Sequence, residues 1–345
     1  MADPATGGGT LPRFAVILGS PRSGTTWLQR VLAAHPNVAT PQETHLFALY
    51  LAPLYARWDR QKRVSERNLQ AIETGQADAG RLLGLATILD DEDVDFAGRS
   101  LLDSVVRRTV EAVADERDDV RVVIEKTPSN AEHTDLIERI APTTRYIHVI
   151  RDPRDVAASL IAASGDWGGR WAPRTADSAA RMWIEHLKGA RKVSQHADRY
   201  LEVRYEDMRA DLSGQLTRIL EFLDLPADAG GTAAELAKRQ GEFAYKPAMR
   251  KRMGAVTVEP AAFSGEGKVR HGLSSSQQLI VEHRTAALRE ELGYGATERW
   301  PARPSVQKAA VVPVAGAVSA SRQAVRRGLL RAVGNRSVAG MVPED

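Results

Sequence analysis

The segment Gly19-Ser20-Pro21-Arg22-Ser23-Gly24-Thr25-Thr26 follows a short apolar run, Phe14 to Leu18, and opens a helical pattern, Thr25 to Ala34, that His35-Pro36 stops. A strand, a glycine loop and a helix in that order make an anion site, because the glycines let backbone N–H groups turn inward and the helix adds the positive end of its dipole. The spacing fits the nucleotide-binding template G-x-x-x-x-G-K-[ST] at both glycines and the last threonine, but Thr25 stands where the lysine belongs. Without that lysine, γ-phosphoryl transfer is not expected. The expected ligand has one phosphate deep in the loop, with Arg22 charging the group beyond it, as a mixed anhydride would require. The bland alternative is an ordinary turn between strand and helix.

A second segment, Arg151-Asp152-Pro153-Arg154-Asp155-Val156-Ala157-Ala158-Ser159, sets an arginine at a strand end and a serine inside the following helix, so that both can face one anion. Read without function, Arg151 pairs with Asp152 or Asp155 and Ser159 is a routine helix residue.

Ser20-Pro21-Arg22-Ser23-Gly24-Thr25-Thr26-Trp27-Leu28 resembles the 5′-phosphosulfate-binding loop of sulfotransferases that use 3′-phosphoadenosine 5′-phosphosulfate (PAPS), and the chain is closest in motif to bacterial and tyrosylprotein-type members. The resemblance implies a P-loop-like fold and no required metal. It implies that Arg22, Ser23, Gly24, Thr25 and Thr26 hold the 5′-phosphosulfate. Trp27 would stack on adenine or pack in the core. Arg151 and Ser159 match the 3′-phosphate element, Tyr205 the Tyr-Glu-Asp segment near the nucleotide, and Lys126 a lysine near the transferred group. In Phe263-Ser264-Gly265-Glu266-Gly267-Lys268-Val269-Arg270, Gly265 and Glu266 replace two basic residues of the family's 3′-phosphate loop, leaving Lys268 or Arg270 as substitutes or the stretch as a surface loop.

Sulfonyl transfer needs a base for the acceptor proton and positive charge where the leaving oxygen becomes negative. The histidine of the family's cytosolic Lys-Thr-His-x-Pro motif is missing from Glu125-Lys126-Thr127-Pro128. A short parallel strand at Val38-Ala39 would return Gln42-Glu43-Thr44 to the sheet edge that carries the phosphate loop. Glu43 would then face the sulfonate, and the resemblance implies the base role for it, because tyrosylprotein-type and many bacterial members carry a catalytic glutamate after a similar helix and His-Pro turn; its alternative is a solvated carboxylate that pairs with Arg22. His45, His133 and His148 compete less well, and His148, inside an apolar strand, reads as a satisfied core residue.

The elements that must position these groups alternate along the chain. Strands are expected at Phe14 to Leu18, Arg121 to Ile124, Arg145 to Ile150 and, as an outer strand, Tyr200 to Tyr205; helices follow at Asp152-Pro153 and Leu212 to Leu223. Residues 44–120 read as a helical acceptor-side insertion, with the acidic run Asp90 to Asp95 as an exposed loop. A further helix is expected from Ser274 to Leu292, after an irregular, basic stretch from Gly241 to Gly272. The expected class is α/β, a three-layer fold with a mainly parallel central sheet flanked by helices. Its expected parts are a flexible start (1–9), one domain (10–300) and a basic tail (301–345).

Of 345 residues, 43% are hydrophobic and 26% charged, the composition of a soluble globular protein. Cysteine is absent, which excludes disulfides, thiolate metal sites and a cysteine nucleophile, and suits a reducing, cytoplasmic setting. The net charge of +3 comes from residues 301–345, with seven basic residues against two acidic ones, so a nucleic-acid-binding domain is not indicated. Neither a signal peptide nor a transmembrane run is expected, although the tail could touch an acidic membrane. The acceptor is expected to be a small molecule, glycan or lipid, and the product nucleotide adenosine 3′,5′-bisphosphate. Two alternatives stay open: a small-molecule kinase, with Mg²⁺-dependent ATP turnover, and a nucleotide-binding interaction protein without catalysis.

Overall fold

The computed structural model describes residues 11–41, 43–77, 84–115, 117–169, 171–227, 235–236 and 272–302. The stretch from Gly241 to His271, with Lys268 and Arg270, lies outside the described residues, as do residues 1–10 and 303–345. The chain divides into two compact units, 1–151 with 185–268, and 152–184 with 269–345.

The first unit is built on a five-stranded, all-parallel sheet. Its strands are β1 (Arg13–Leu18), β2 (Val38–Ala39), β3 (Val122–Glu125), β4 (Arg145–Ile150) and β5 (Tyr200–Arg204), in the order β2-β3-β1-β4-β5. Register follows from apolar runs with two buried faces. Ala15 and Ile17 of β1, Val122 and Ile124 of β3, and Ile147 and Val149 of β4 enter one core. Val16, Leu18, Val123 and Tyr146 enter the other. On the first face pack α1 (Thr25–Ala33), through Leu28, Val31 and Leu32, and α8 (Leu212–Phe222), through Leu216, Ile219 and Leu220. Each such side chain contributes about 1.5–3 kcal/mol when fully buried. The second face carries α2 (Ala52–Glu73), α3 (Asp91–Glu111) and α4 (Thr134–Ile140), through Tyr55, Trp58, Leu102, Val106 and Ile137. This is the expected fold class.

Edge strand β5 alternates buried and half-buried residues, as its sequence indicates, and runs directly into α7 (Tyr205–Ala210). Two-residue β2 forms where expected, with Val38 opposite Val122 in parallel register. A buried arginine that sequence reasoning missed secures it: the Arg117 guanidinium donates to the carbonyls of Ala33 (2.6 Å), His35 (3.2 Å) and Val38, tying the end of α1 and the loop after it to the first residue of β2.

Two expectations are corrected. Asp90 to Asp95 is not a loop: Asp90 caps α3 by accepting from the N–H groups of Glu92 and Asp93, while the Asp93 carboxylate accepts from the Asp90 N–H. Acidic residues in a first turn complement the helix dipole, so their density marks a helix start. The helix over Ser274 to Leu292 is interrupted at Thr285. There the hydroxyl donates to the Val281 carbonyl at 2.7 Å, separating α9 (Ser275–Arg284) from α10 (Ala286–Glu291).

The second unit contains these two helices, α5 (Pro153–Ser164) and the first part of α6 (Ala176–Arg191). Asp152 caps α5 at the Arg154 N–H with Pro153 in its first turn. The fully buried Arg154 is held by Asp152, Glu282 and the Gly295 carbonyl.

Candidate active site

The phosphate loop turns between β1 and α1 through three residues with positive φ: Gly19 (148°), Arg22 (74°) and Gly24 (96°). Gly24 is demanded twice. Its φ is left-handed, and a Cβ there would lie 2.5 Å from the Tyr205 ring. Tyr205, the first residue after β5, thus closes against the loop, and Trp27 meets the same ring edge-on with centroids 6.4 Å apart. Trp27 is only partly buried, and it packs on the first core while leaving part of its surface exposed.

Arg151, at the end of β4, lies over the Tyr205 ring at 4.2 Å and donates to the Arg22 carbonyl at 3.0 Å. Two guanidinium groups therefore share one side of the loop. Burial lowers the pKa of Arg22, and the like charge of Arg151 lowers it further. Ser23 is buried, and its Oγ has no hydrogen-bond partner among the described residues. Positive charge, a buried hydroxyl without a partner and inward-turned backbone fit an oxyanion. Thr25 is buried at the start of α1, and Ser159 lies in α5, in the second unit.

Beyond β2, Glu43 and Thr44 run back across the carboxyl end of β3. Lys126 Nζ forms an ion pair with Glu43 Oε1 and donates to Thr26 Oγ1 at 2.9 Å. The Lys126 side chain is 1% exposed and that of Glu43 43%, so the lysine is a buried bridge and the carboxylate remains open to an incoming group. Burial lowers the Lys126 pKa and Glu43 works against that shift. The expected Glu43, Lys126 and Thr26 are therefore brought together, and Glu43 pairs with Lys126 where pairing with Arg22 had been the alternative.

Of the competing histidines, His45 Nε2 stands 3.8 Å from Glu43 Oε2. His133 lies at the start of α4, its N–H on the Asn130 carbonyl. His148 is a core residue, its Nδ1 2.6 Å from the Tyr200 hydroxyl, with burial holding its pKa below the usual range.

Sequence reasoning assigned no role to Glu125. It is 1% exposed. One oxygen, Oε1, accepts from the Thr44 N–H (3.1 Å), the Thr44 hydroxyl (2.9 Å) and the Thr127 hydroxyl (2.5 Å), while Oε2 accepts from Asn130 Nδ2. Burial raises its pKa and these donors oppose the rise. Glu125 thus anchors the backbone next to Glu43. The available signal was a carboxylate directly after Val122-Val123-Ile124, since an acid at the end of a fully buried strand must find donors.

Residues 15–229 match the model of the Sulfotransferase family. Protein-tyrosine sulfotransferase A of Caenorhabditis elegans is 24% identical over 62% of this chain and 50% of its own length. Protein-tyrosine sulfotransferase 1 of Danio rerio is 23% identical over 70% of the chain and 66% of its own. The chain thus spans between half and two thirds of those relatives. Among solved structures, the sulfotransferase domain of the Synechococcus PCC 7002 olefin synthase aligns over 84% of this chain and 98% of that one, with 22% identity and a TM-score of 0.46. The family match covers the β1 loop, the Glu43 segment, Lys126, Arg151 and Tyr205 together, and on it the chain belongs to the sulfotransferase family.

Proposed function

We propose that the protein transfers a sulfonate group from PAPS to a hydroxyl or amine of its acceptor by in-line displacement. The observation that carries this reading is the bridge made by Lys126, which joins the Glu43 carboxylate to Thr26 of the phosphate loop. A base and an anion loop tied to one buried ammonium are what a displacement at sulfur requires. Glu43 takes the proton from the acceptor, and the acceptor oxygen or nitrogen forms a bond to sulfur as the bond from sulfur to the 5′-phosphate oxygen breaks. The electron pair leaves with adenosine 3′,5′-bisphosphate. As Glu43 is neutralised, Lys126 loses its partner just as the leaving oxygen gains charge, so the same ammonium serves both ends of the step. Arg22 adds charge at the phosphosulfate.

Within this reading Ser23, Gly24, Thr25 and Thr26 bind the 5′-phosphosulfate, Trp27 and Tyr205 flank the adenine, and Arg151 takes the 3′-phosphate. The relatives named for protein tyrosine support adding a phenolic hydroxyl to small molecule, glycan and lipid as proposed acceptor classes. Calorimetry with adenosine 3′,5′-bisphosphate, ADP and AMP tests the donor site. Magnesium-independent preference for the bisphosphate is expected, and preference for ADP would overturn the reading in favour of a kinase.

A further inference from the structure

The outer face of α2 carries Arg57, Arg60, Arg63 and Arg67, all exposed. Spacings of three and four residues put them on one stripe about 15 Å long. None of the four forms an ion pair with a carboxylate among the described residues, whereas Lys62, off this stripe, pairs with Asp91 at 2.7 Å. The acids of the helix, Asp59, Glu66 and Glu73, recur every seven residues and fall together on one flank. Large apolar side chains stand among the arginines: Leu49 is 64% exposed, Tyr50 62%, Leu54 42% and Val64 41%. On the flank opposite the acids, the turn Leu85–Thr87 packs by Gln61, adding Leu85 (57%) and Ile88 (78%).

A charged face built only for solubility mixes both signs and keeps leucine and tyrosine inside. Here acids are segregated, and cations alternate with exposed aliphatic and aromatic groups. That pattern matches a surface with negative charge in one layer and hydrocarbon just beneath. A helix face is convex, a shape that favours a plane over an extended peptide. We propose that this face docks on an anionic lipid bilayer, the four arginines meeting headgroup phosphates and carboxylates while Leu49, Tyr50, Leu54 and Ile88 enter the acyl boundary. Glu43 lies only six residues before Leu49, so docking would hold the open carboxylate near the membrane plane.

The test uses the full chain with vesicles of phosphatidylcholine alone or with roughly 30% phosphatidylserine. Co-sedimentation with the anionic vesicles only is expected, and the combined variant Arg57→Gln, Arg60→Gln, Arg63→Gln and Arg67→Gln should lose about tenfold or more in affinity. Its affinity for adenosine 3′,5′-bisphosphate should stay unchanged, which checks the fold. Because the chain has no cysteine, Leu49→Cys carries a single polarity-sensitive dye, whose emission should shift to the blue on anionic vesicles. Equal retention of the combined variant, an unshifted dye, or binding to polyglutamate in preference to vesicles would each overturn the proposal.

Discussion

Lys126 is a buried cation and Arg22 a more exposed one, set just past the ends of the neighbouring strands β3 and β1, and partial desolvation lowers the pKa of each. Their surroundings then diverge. Lys126 has Glu43 beside it and Glu125 close by, which offset the cost of burial, whereas Arg22 has a second arginine, Arg151, which adds to it. A cation whose partner is supplied by the protein can be held in place before any ligand arrives. Two cations held against each other are relieved by an anion from outside. On the proposed reading, the Lys126 side of the site serves proton transfer and the Arg22 side recognition of charge.

The largest expected test of this division is Glu43→Gln, which should lower kcat by about 10²–10⁴-fold while affinity for adenosine 3′,5′-bisphosphate changes little. Equal turnover in a stopped assay would remove Glu43 from the chemistry. Next comes Arg151→Ala, which takes away one charged donor and should weaken bisphosphate affinity by roughly 10- to 100-fold in calorimetry. An unchanged affinity would mean that the arginine pair only shapes the loop.

Glu125→Gln sharpens the comparison from the other side. Its amide would turn an N–H group toward Asn130 Nδ2 or toward the three donors at Oε1. A loss of about tenfold in kcat, with bisphosphate affinity intact, is expected from a loosened Thr44. Loss of both together would make Glu125 a general support of the fold. The smallest effect concerns pH. Glu43 raises the Lys126 pKa against burial, so Glu43→Gln should let Lys126 lose its proton at lower pH. The alkaline decline in bisphosphate affinity should then begin at lower pH than in the parent protein.

The sheet was legible because β1 and β3 carry short apolar runs, Phe14 to Leu18 and Val122 to Ile124, and β4 is apolar between Arg145 and Ile150 except at His148, a pattern consistent with strands buried on both faces. Glu43 was legible because Val38-Ala39 set the direction of return after α1. The start of α3 was misread because charge density alone does not separate a solvated loop from a capped helix; the reciprocal bonds of Asp90 and Asp93 decide it. The part played by Glu125 was hidden for another reason. Its donors include Thr44, 81 residues away, and no local pattern records a pairing made only by the fold.

The closure of Tyr205 on Gly24 has a consequence for how the protein comes into being. The phosphate loop follows the first strand of the sheet, yet the ring that packs against it belongs to the residue after the last, the edge strand β5. A chain released from the amino end could assemble β1, β3 and β4 and still lack a finished donor pocket. That pocket is completed by one of the most sequence-distant contacts of the first unit, and such contacts form late and slowly. Nucleotide affinity should therefore report the last stage of folding, appearing after the central sheet and disappearing first when the β5 edge frays.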